Sequence, residues 1–215
     1  MFYDSLRAIP GYKKAGAYYR QIKASVNYLL GTTKPSINWS RVVMLQETEK
    51  LVSELQPSEL KVLEISGTHW QKAGFKEYKT ANYPEYDVCE VSLQETFDLI
   101  IAEQVFEHLL WPYRAGKNVY QMLNPGGHFL ISTPFLVRIH NYPIDCSRWT
   151  ETGLKYFLAE CGFPLEHITT GSWGNRACIK ANWSHWVTYR PILLHSLKNE
   201  PDFPYTVWAL AQKEK

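Results

Sequence analysis

The run Phe97-Asp98-Leu99-Ile100-Ile101-Ala102-Glu103 restricts the fold more than any other stretch of the chain. Its apolar residues follow one another without alternation, so a strand made from them must be covered on both faces. A sheet held between two layers of helices supplies that environment, and such sheets are parallel. Val62, Leu63 and Ile65 make a shorter run of the same kind, interrupted by Glu64 and closed by Ser66-Gly67-Thr68. Small residues at a strand's end let the backbone approach a ligand that a bulkier loop would hold off. Residues 77–81 and 129–133 read as further strands, with two more at 165–170 and 205–211. Pro112 opens a helix carrying Tyr113, Val119, Tyr120 and Met122. Thr150 stands at the N-cap of another, whose Leu154, Phe157, Leu158 and Cys161 follow the i, i+3, i+4, i+7 pattern up to Gly162. Residues 83–90 have no period and read as loop, with room for a clipped strand. Strands alternating with helices give an α/β chain with a doubly wound, mostly parallel sheet.

Before the first strand, residues 1–57 read as helical. Ala15, Tyr18, Tyr19, Ile22, Val26, Leu29 and Leu30 recur at helical steps, and Ser40 is placed to cap a second helix with Val43, Met44, Leu51, Val52 and Leu55 on one side, ended by Pro57. The expected organisation is an N-terminal helical cap over 1–57 on a core domain over 58–215. An aromatic-rich insert at about 172–204 precedes the last strand. The chain has 215 residues and a formal net charge of +2, with no Lys/Arg block of the kind that binds nucleic acid. Its four cysteines are widely spaced without a CxxC pair, which points to reduced thiols in the cytoplasm. No stretch of about eighteen apolar residues offers a membrane span.

Ligands bind such sheets beyond the carboxyl ends of the strands. The residues to weigh are therefore Ser66–Thr68, Asn82 and Tyr83, residues 103–108 and residues 134–148. Three blocks in that order, VLEISG at 62–67, FDLIIAEQVFEHL at 97–109 and LNPGGHFLISTP at 123–134, resemble the class I S-adenosylmethionine-dependent methyltransferases. The segment RWTETGLKYFLAECGF at 148–163 is similar to the helix that follows in small-molecule members. The resemblance covers about residues 60–170. It implies a Rossmann-like fold, S-adenosyl-L-methionine as cofactor and a small-molecule acceptor methylated on oxygen or nitrogen. It also implies a cofactor loop over Glu64, Ser66, Gly67 and Thr68. Asn82 then stands where the family has a ribose-binding acid, with Tyr83 beside it. Asp87 takes the place of the loop acid that meets adenine, next to Val88, and Glu103 and Gln104 lie beside the methionine part. The sequence keeps only Gly67 of the usual glycines, with Ser66 at the first glycine position. An amide at 82 lacks the charge-assisted strength of a carboxylate.

For proton removal the candidates are His108, which follows the fourth-strand motif, and His140 and Tyr142, on the acceptor side with Asp145 and Arg148. The alternative role for His108 is a structural hydrogen bond to the backbone. The seven histidines show no HxxxH pair, so no metal site is expected. Trp173, Trp183, Trp186, Tyr189 and Trp208 suit a core or a homodimer interface, or an acceptor pocket. Two other functions compete with methyl transfer. Ser66 and Asn82 would suit a degenerate methyltransferase fold that binds without catalysing. A nicotinamide-dependent oxidoreductase needs the GxGxxG turn that the single Gly67 does not supply.

Overall fold

A computed structural model describes residues 37–215. The helix expected at 15–30 lies outside the described residues. Six strands form one sheet: β1 Lys61–Ile65, β2 Glu77–Ala81, β3 Phe97–Glu103, β4 Leu123–Pro134, β5 Ile168–Trp173 and β6 Thr206–Gln212. Their order is β2-β1-β3-β4-β6-β5. The first four pair in parallel, and β6 runs antiparallel between β4 and β5, so five strands share one direction. The topology is the doubly wound one that the alternation of elements implied.

The apolar run of β3 shows why both faces must be covered. Leu99 and Ile101 pack with Val52, Val62, Trp70 and Leu130 on one side of the sheet. Ile100 and Ala102 face Phe106, Phe129, Phe157 and Phe163 on the other. Each side chain so buried contributes ~1.5–3 kcal/mol. Helix α1, Val42–Ser53, covers the first face, while α2, Pro112–Gln121, and α3, Glu151–Glu160, cover the second. Thr150 caps α3 as its position implied, accepting from Gly153 N at 3.0 Å.

Three local readings change. Ser40 does not cap α1; it is buried in a single 3-10 turn, Trp39–Arg41, that leads into the helix. That turn is tied down from outside, because Trp39 N donates to Val187 O and Tyr189 N donates to Ile37 O. The chain entering α1 is thereby fastened to the insert before β6. Strand β4 starts at Leu123, not 129, because Asn124–Gly127 forms a bulge within the ladder: Phe97 pairs with Leu123 and Leu99 already with His128. Strand β5 starts at Ile168 because Leu165–His167 turn first. The segment 83–90 carries no strand.

Helices α2 and α3 touch at Gly116, where a Cβ would run into Cys161 Sγ and stand 3.2 Å from Phe157. Gly116→Ala is expected to cost ~1–3 kcal/mol through overpacking. In urea unfolding, Cys161→Ala in the same chain should recover a large part of that loss; additive losses would contradict the packing argument.

Candidate active site

The loop after β1 is shaped from inside by Glu64, a carboxylate only 1% exposed. Its Oε1 accepts from His69 N and its Oε2 from Trp70 N, both at 3.0 Å, and Tyr78 Oη of β2 donates to Oε2 at 2.6 Å. Burial and then the neighbouring carboxylate push the Tyr78 hydroxyl strongly up from its ordinary value. Gly67 is required here because a Cβ would collide with Glu64 Oε1. Ser66 stands in the left-handed region at φ 57°, and so does Gln104, at φ 56°, at the end of β3. Non-glycine residues held there mark a backbone fixed by its surroundings. Ser66 N donates to Ala81 O at 3.0 Å and Gln104 N to Ser132 O at 2.9 Å, so each bend is pinned to the neighbouring strand.

Two cavities open at this edge of the sheet. The first, about 620 Å³, is lined by Ile65 and Ser66 at the end of β1, by Tyr83 and residues 86–90, and by Val105, Leu109 and Trp111. Asp87 in its wall accepts from Cys89 N at 2.8 Å through Oδ1. The second, about 430 Å³, lies between Asn38, Ser40 and Arg41, the end of β4 at Pro134, and Tyr205 and Thr206 at the start of β6, with His140 and Trp186 closing it. Gln104, His108 and Tyr142 line both. The side-chain amide of Gln104 donates to Ser132 Oγ at 3.3 Å.

The second cavity is polar in an unusual way. Seven buried side-chain polar atoms lack a hydrogen-bond partner among the described residues, and four of them belong to its wall: Glu107 Oε2, His140 Nδ1, Tyr205 Oη and Thr206 Oγ1. Buried groups are normally paired, so this concentration marks a place for a polar ligand. Burial raises the Glu107 carboxyl to about 7. His108 Nδ1 donates to the Ile144 carbonyl, which turns Nε2 toward Glu107 Oε1, 3.6 Å away. Asp145 organises the loop around His140: it pairs with Arg148 through both oxygens and accepts from His140 N at 2.9 Å. Burial works to raise the Asp145 carboxyl, but these donors outweigh it and hold it low. His140 Nδ1 stands 3.2 Å from Asp145 Oδ2 without alignment for a hydrogen bond, and burial lowers the imidazole. The rings of His108 and His140 meet edge to face at 5.1 Å.

The family described as "Methyltransferase domain" matches residues 22–169. The chain belongs to it. No curated protein matches the sequence. Among solved structures, an S-adenosylmethionine-dependent methyltransferase from Mesorhizobium loti superposes with a TM-score of 0.52 at 16% identity, over 76% of this chain and 96% of that one. One from Thermotoga maritima gives 0.51 at 15%, over 82% and 98%. Phosphoethanolamine N-methyltransferase 2 of Haemonchus contortus, solved with S-adenosyl-L-methionine, gives 0.50 at 11%, over 79% of this chain and 53% of that one. The fold is that of the class I methyltransferases, and the cofactor of this methyltransferase is S-adenosylmethionine. The first cavity suits it. Two carboxylates, a serine and a glutamine alternate with Ile65, Val88 and Leu109, a mixed wall for a ligand with purine, ribose and amino-acid parts.

The residues expected to hold the cofactor divide into two groups. Ser66, Tyr83, Asp87, Val88 and Gln104 line the first cavity. Glu64 turns inward to the loop, Gly67 makes room for it, and Thr68 and Asn82 are exposed outside the lining. Glu103 sits apart with Arg41, 3.4 Å away; burial first of all raises its carboxyl. His108, His140 and Tyr142 come together on the second cavity, although 32 residues separate the two histidines in the chain. Arg41, Tyr205 and Thr206 were missed, because nothing in their local sequence says that β6 reverses direction and returns to this edge. Of the aromatic residues, Trp173 and Trp208 are core, whereas Trp186 lines the cavity beneath Arg138.

Tyr78→Phe is expected to lose about 1–2 kcal/mol in urea unfolding, the worth of a hydrogen bond to a charged acceptor at a partly open site. Glu64→Gln should lose more and also weaken S-adenosylmethionine in calorimetry, since an amide turns an N–H toward backbone donors. Unchanged stability in both variants would remove Glu64 as the organiser of the loop.

Proposed function

We propose that the protein methylates a small-molecule acceptor on oxygen or nitrogen, with the cofactor in the 620 Å³ cavity and the acceptor in the 430 Å³ cavity. One observation carries this reading: the two cavities share Gln104, His108 and Tyr142 as a common wall. Methyl transfer requires donor and acceptor to meet in line at one boundary, and little covalent help from the protein. S-adenosylmethionine supplies an electrophilic methyl on a positively charged sulfur. Asp87 and the amide of Val88 would receive the adenine, Tyr83 the ribose, and Ser66 and Gln104 the amino-acid part. Glu64, Gly67 and Thr68 serve by holding the loop in shape. Asn82 and Glu103 are assigned supporting places behind it.

On the acceptor side, His108, His140 and Tyr142 are the side chains we assign to the reacting group. An oxygen or nitrogen acceptor gives up a proton, and imidazoles are the side chains suited to assist that loss near neutrality. The unpartnered Tyr205 Oη and Thr206 Oγ1 support a polar acceptor whose groups pair with them. Of the described residues, no helix is long and apolar enough to cross a membrane. The second cavity is lined by Arg41 and two histidines rather than by an extended basic face, which supports a small acceptor over a nucleic acid.

Calorimetry with S-adenosylmethionine and its demethylated product tests the donor half. Both should bind to one site, and Asp87→Ala should weaken them ~10–100-fold by removing a charged hydrogen-bond acceptor. No heat from either ligand on folded protein would overturn the assignment. Tyr142→Ala and His108→Ala should then slow methylation of a responding hydroxyl or amino compound while leaving cofactor affinity within a few-fold.

A further inference from the structure

We propose that Glu107, His108 and His140 form a site for one divalent transition-metal ion of the zinc class, open toward the acceptor cavity. The three residues offer ligand atoms that all lie within 4.8 Å of one another. Two imidazole nitrogens and a carboxylate oxygen are the donor set of zinc sites that keep a fourth position free. Tetrahedral ligand atoms ~2.1 Å from zinc stand ~3.4 Å apart. Glu107 Oε1 and His108 Nε2 are already at 3.6 Å, so the remaining adjustment falls on the loop that carries His140. The inference rests on the methyl-transfer reading for the identity of what enters the cavity.

Two further observations point to a ligand. Glu107 is 1% exposed and its Oε2 has no partner, although it borders a cavity. A buried carboxyl group needs a partner for its oxygens, and the nearby cations are engaged elsewhere: Arg148 with Asp145, and Arg41 with Glu103. The second observation is the bracing behind His108. Its Nδ1 is held by the Ile144 carbonyl, which turns Nε2 toward Glu107, while the loop carrying His140 is fixed through its backbone, His140 N donating to Asp145 Oδ2. A metal-ligating histidine is oriented as His108 is, by a carbonyl or carboxylate on the nitrogen that does not bind the ion.

An ion there leaves its fourth position to an oxygen of the acceptor, which narrows the acceptor to hydroxyl compounds. Coordination eases loss of the hydroxyl proton to solvent, so that in the ion-bound form His108 and His140 act as ligands and not as the groups that take the proton. The oxygen keeps that electron pair and forms the bond to the methyl carbon, while the carbon–sulfur pair stays on sulfur as the neutral thioether.

Chelator-treated protein titrated with Zn²⁺ by calorimetry, and with Co²⁺ by visible absorption, tests the site without reference to turnover. The expected result is one equivalent bound, with tetrahedral Co²⁺ bands and no thiolate charge-transfer band. His140→Ala and Glu107→Gln should each weaken Zn²⁺ at least tenfold, and Cys146→Ser should not. His140 lies on a partly exposed loop, and the melting curve of His140→Ala verifies its fold. Absence of binding, binding unchanged in His140→Ala, or a thiolate band from the exposed Cys146 would overturn the proposal. S-adenosylmethionine is titrated into the same samples. Cofactor binding without zinc binding removes the metal site alone, whereas zinc binding without cofactor binding removes the methyl-transfer reading and leaves the site.

Discussion

The Glu64 carboxylate is the interaction on which the working edge of the sheet depends. It turns away from solvent at the end of β1 and collects two backbone N–H groups and the Tyr78 hydroxyl. A buried charge is stabilised only when its lone pairs are met, and here they are met by the loop itself. The loop is therefore folded around an anion that belongs to the protein. Gly67 follows from the same contact, since any side chain there would displace the carboxylate. Beside it, Ser66 is held in the left-handed region that a glycine would otherwise favour.

Above that loop, a division of labour runs along the edge. The segments after β1 and β2 build one cavity, and the ends of β4 and β6 build the other. The bend after β3 carries Gln104 and His108 into the partition between them. The partition is stiff where it needs to be: Gln104 is pinned to Ser132 through both its backbone and its side chain, and His108 to Ile144. Stiffness there matters because in-line transfer tolerates little misplacement.

Much of the fold was legible in the sequence. The unbroken apolar run of β3 demanded two covered faces, and Thr150 announced α3 by its cap. Where the reading slipped, pairing partners far along the chain decided the outcome. Asn124–Gly127 reads as a turn, yet it stays in the ladder as a bulge because β3 pairs on either side of it. Ser40 reads as a cap, yet the insert holds its neighbours and buries it. The linings of the two cavities were legible only in part. Ser66, Asp87, Gln104 and His108 follow from motif position, whereas Arg41, Tyr205 and Thr206 reach the second cavity only through tertiary arrangement. The spacing of the histidines likewise gave no hint that two of them meet.

The reversed direction of β6 has a bearing on how such an enzyme can change. Parallel strands present only their exits to the ligand edge, and the loops leaving β1, β2, β3 and β4 build the first cavity. Strand β6 presents its entrance instead, so the insert that feeds it delivers Tyr205 and Thr206, and by its own fold Trp186, to the other cavity alone. Replacement or lengthening of that insert would reshape the second cavity while the first keeps its wall. The insert thus reaches the second cavity without touching the first, and the wall that the two cavities share, Gln104, His108 and Tyr142, comes from the loops after β3 and β4.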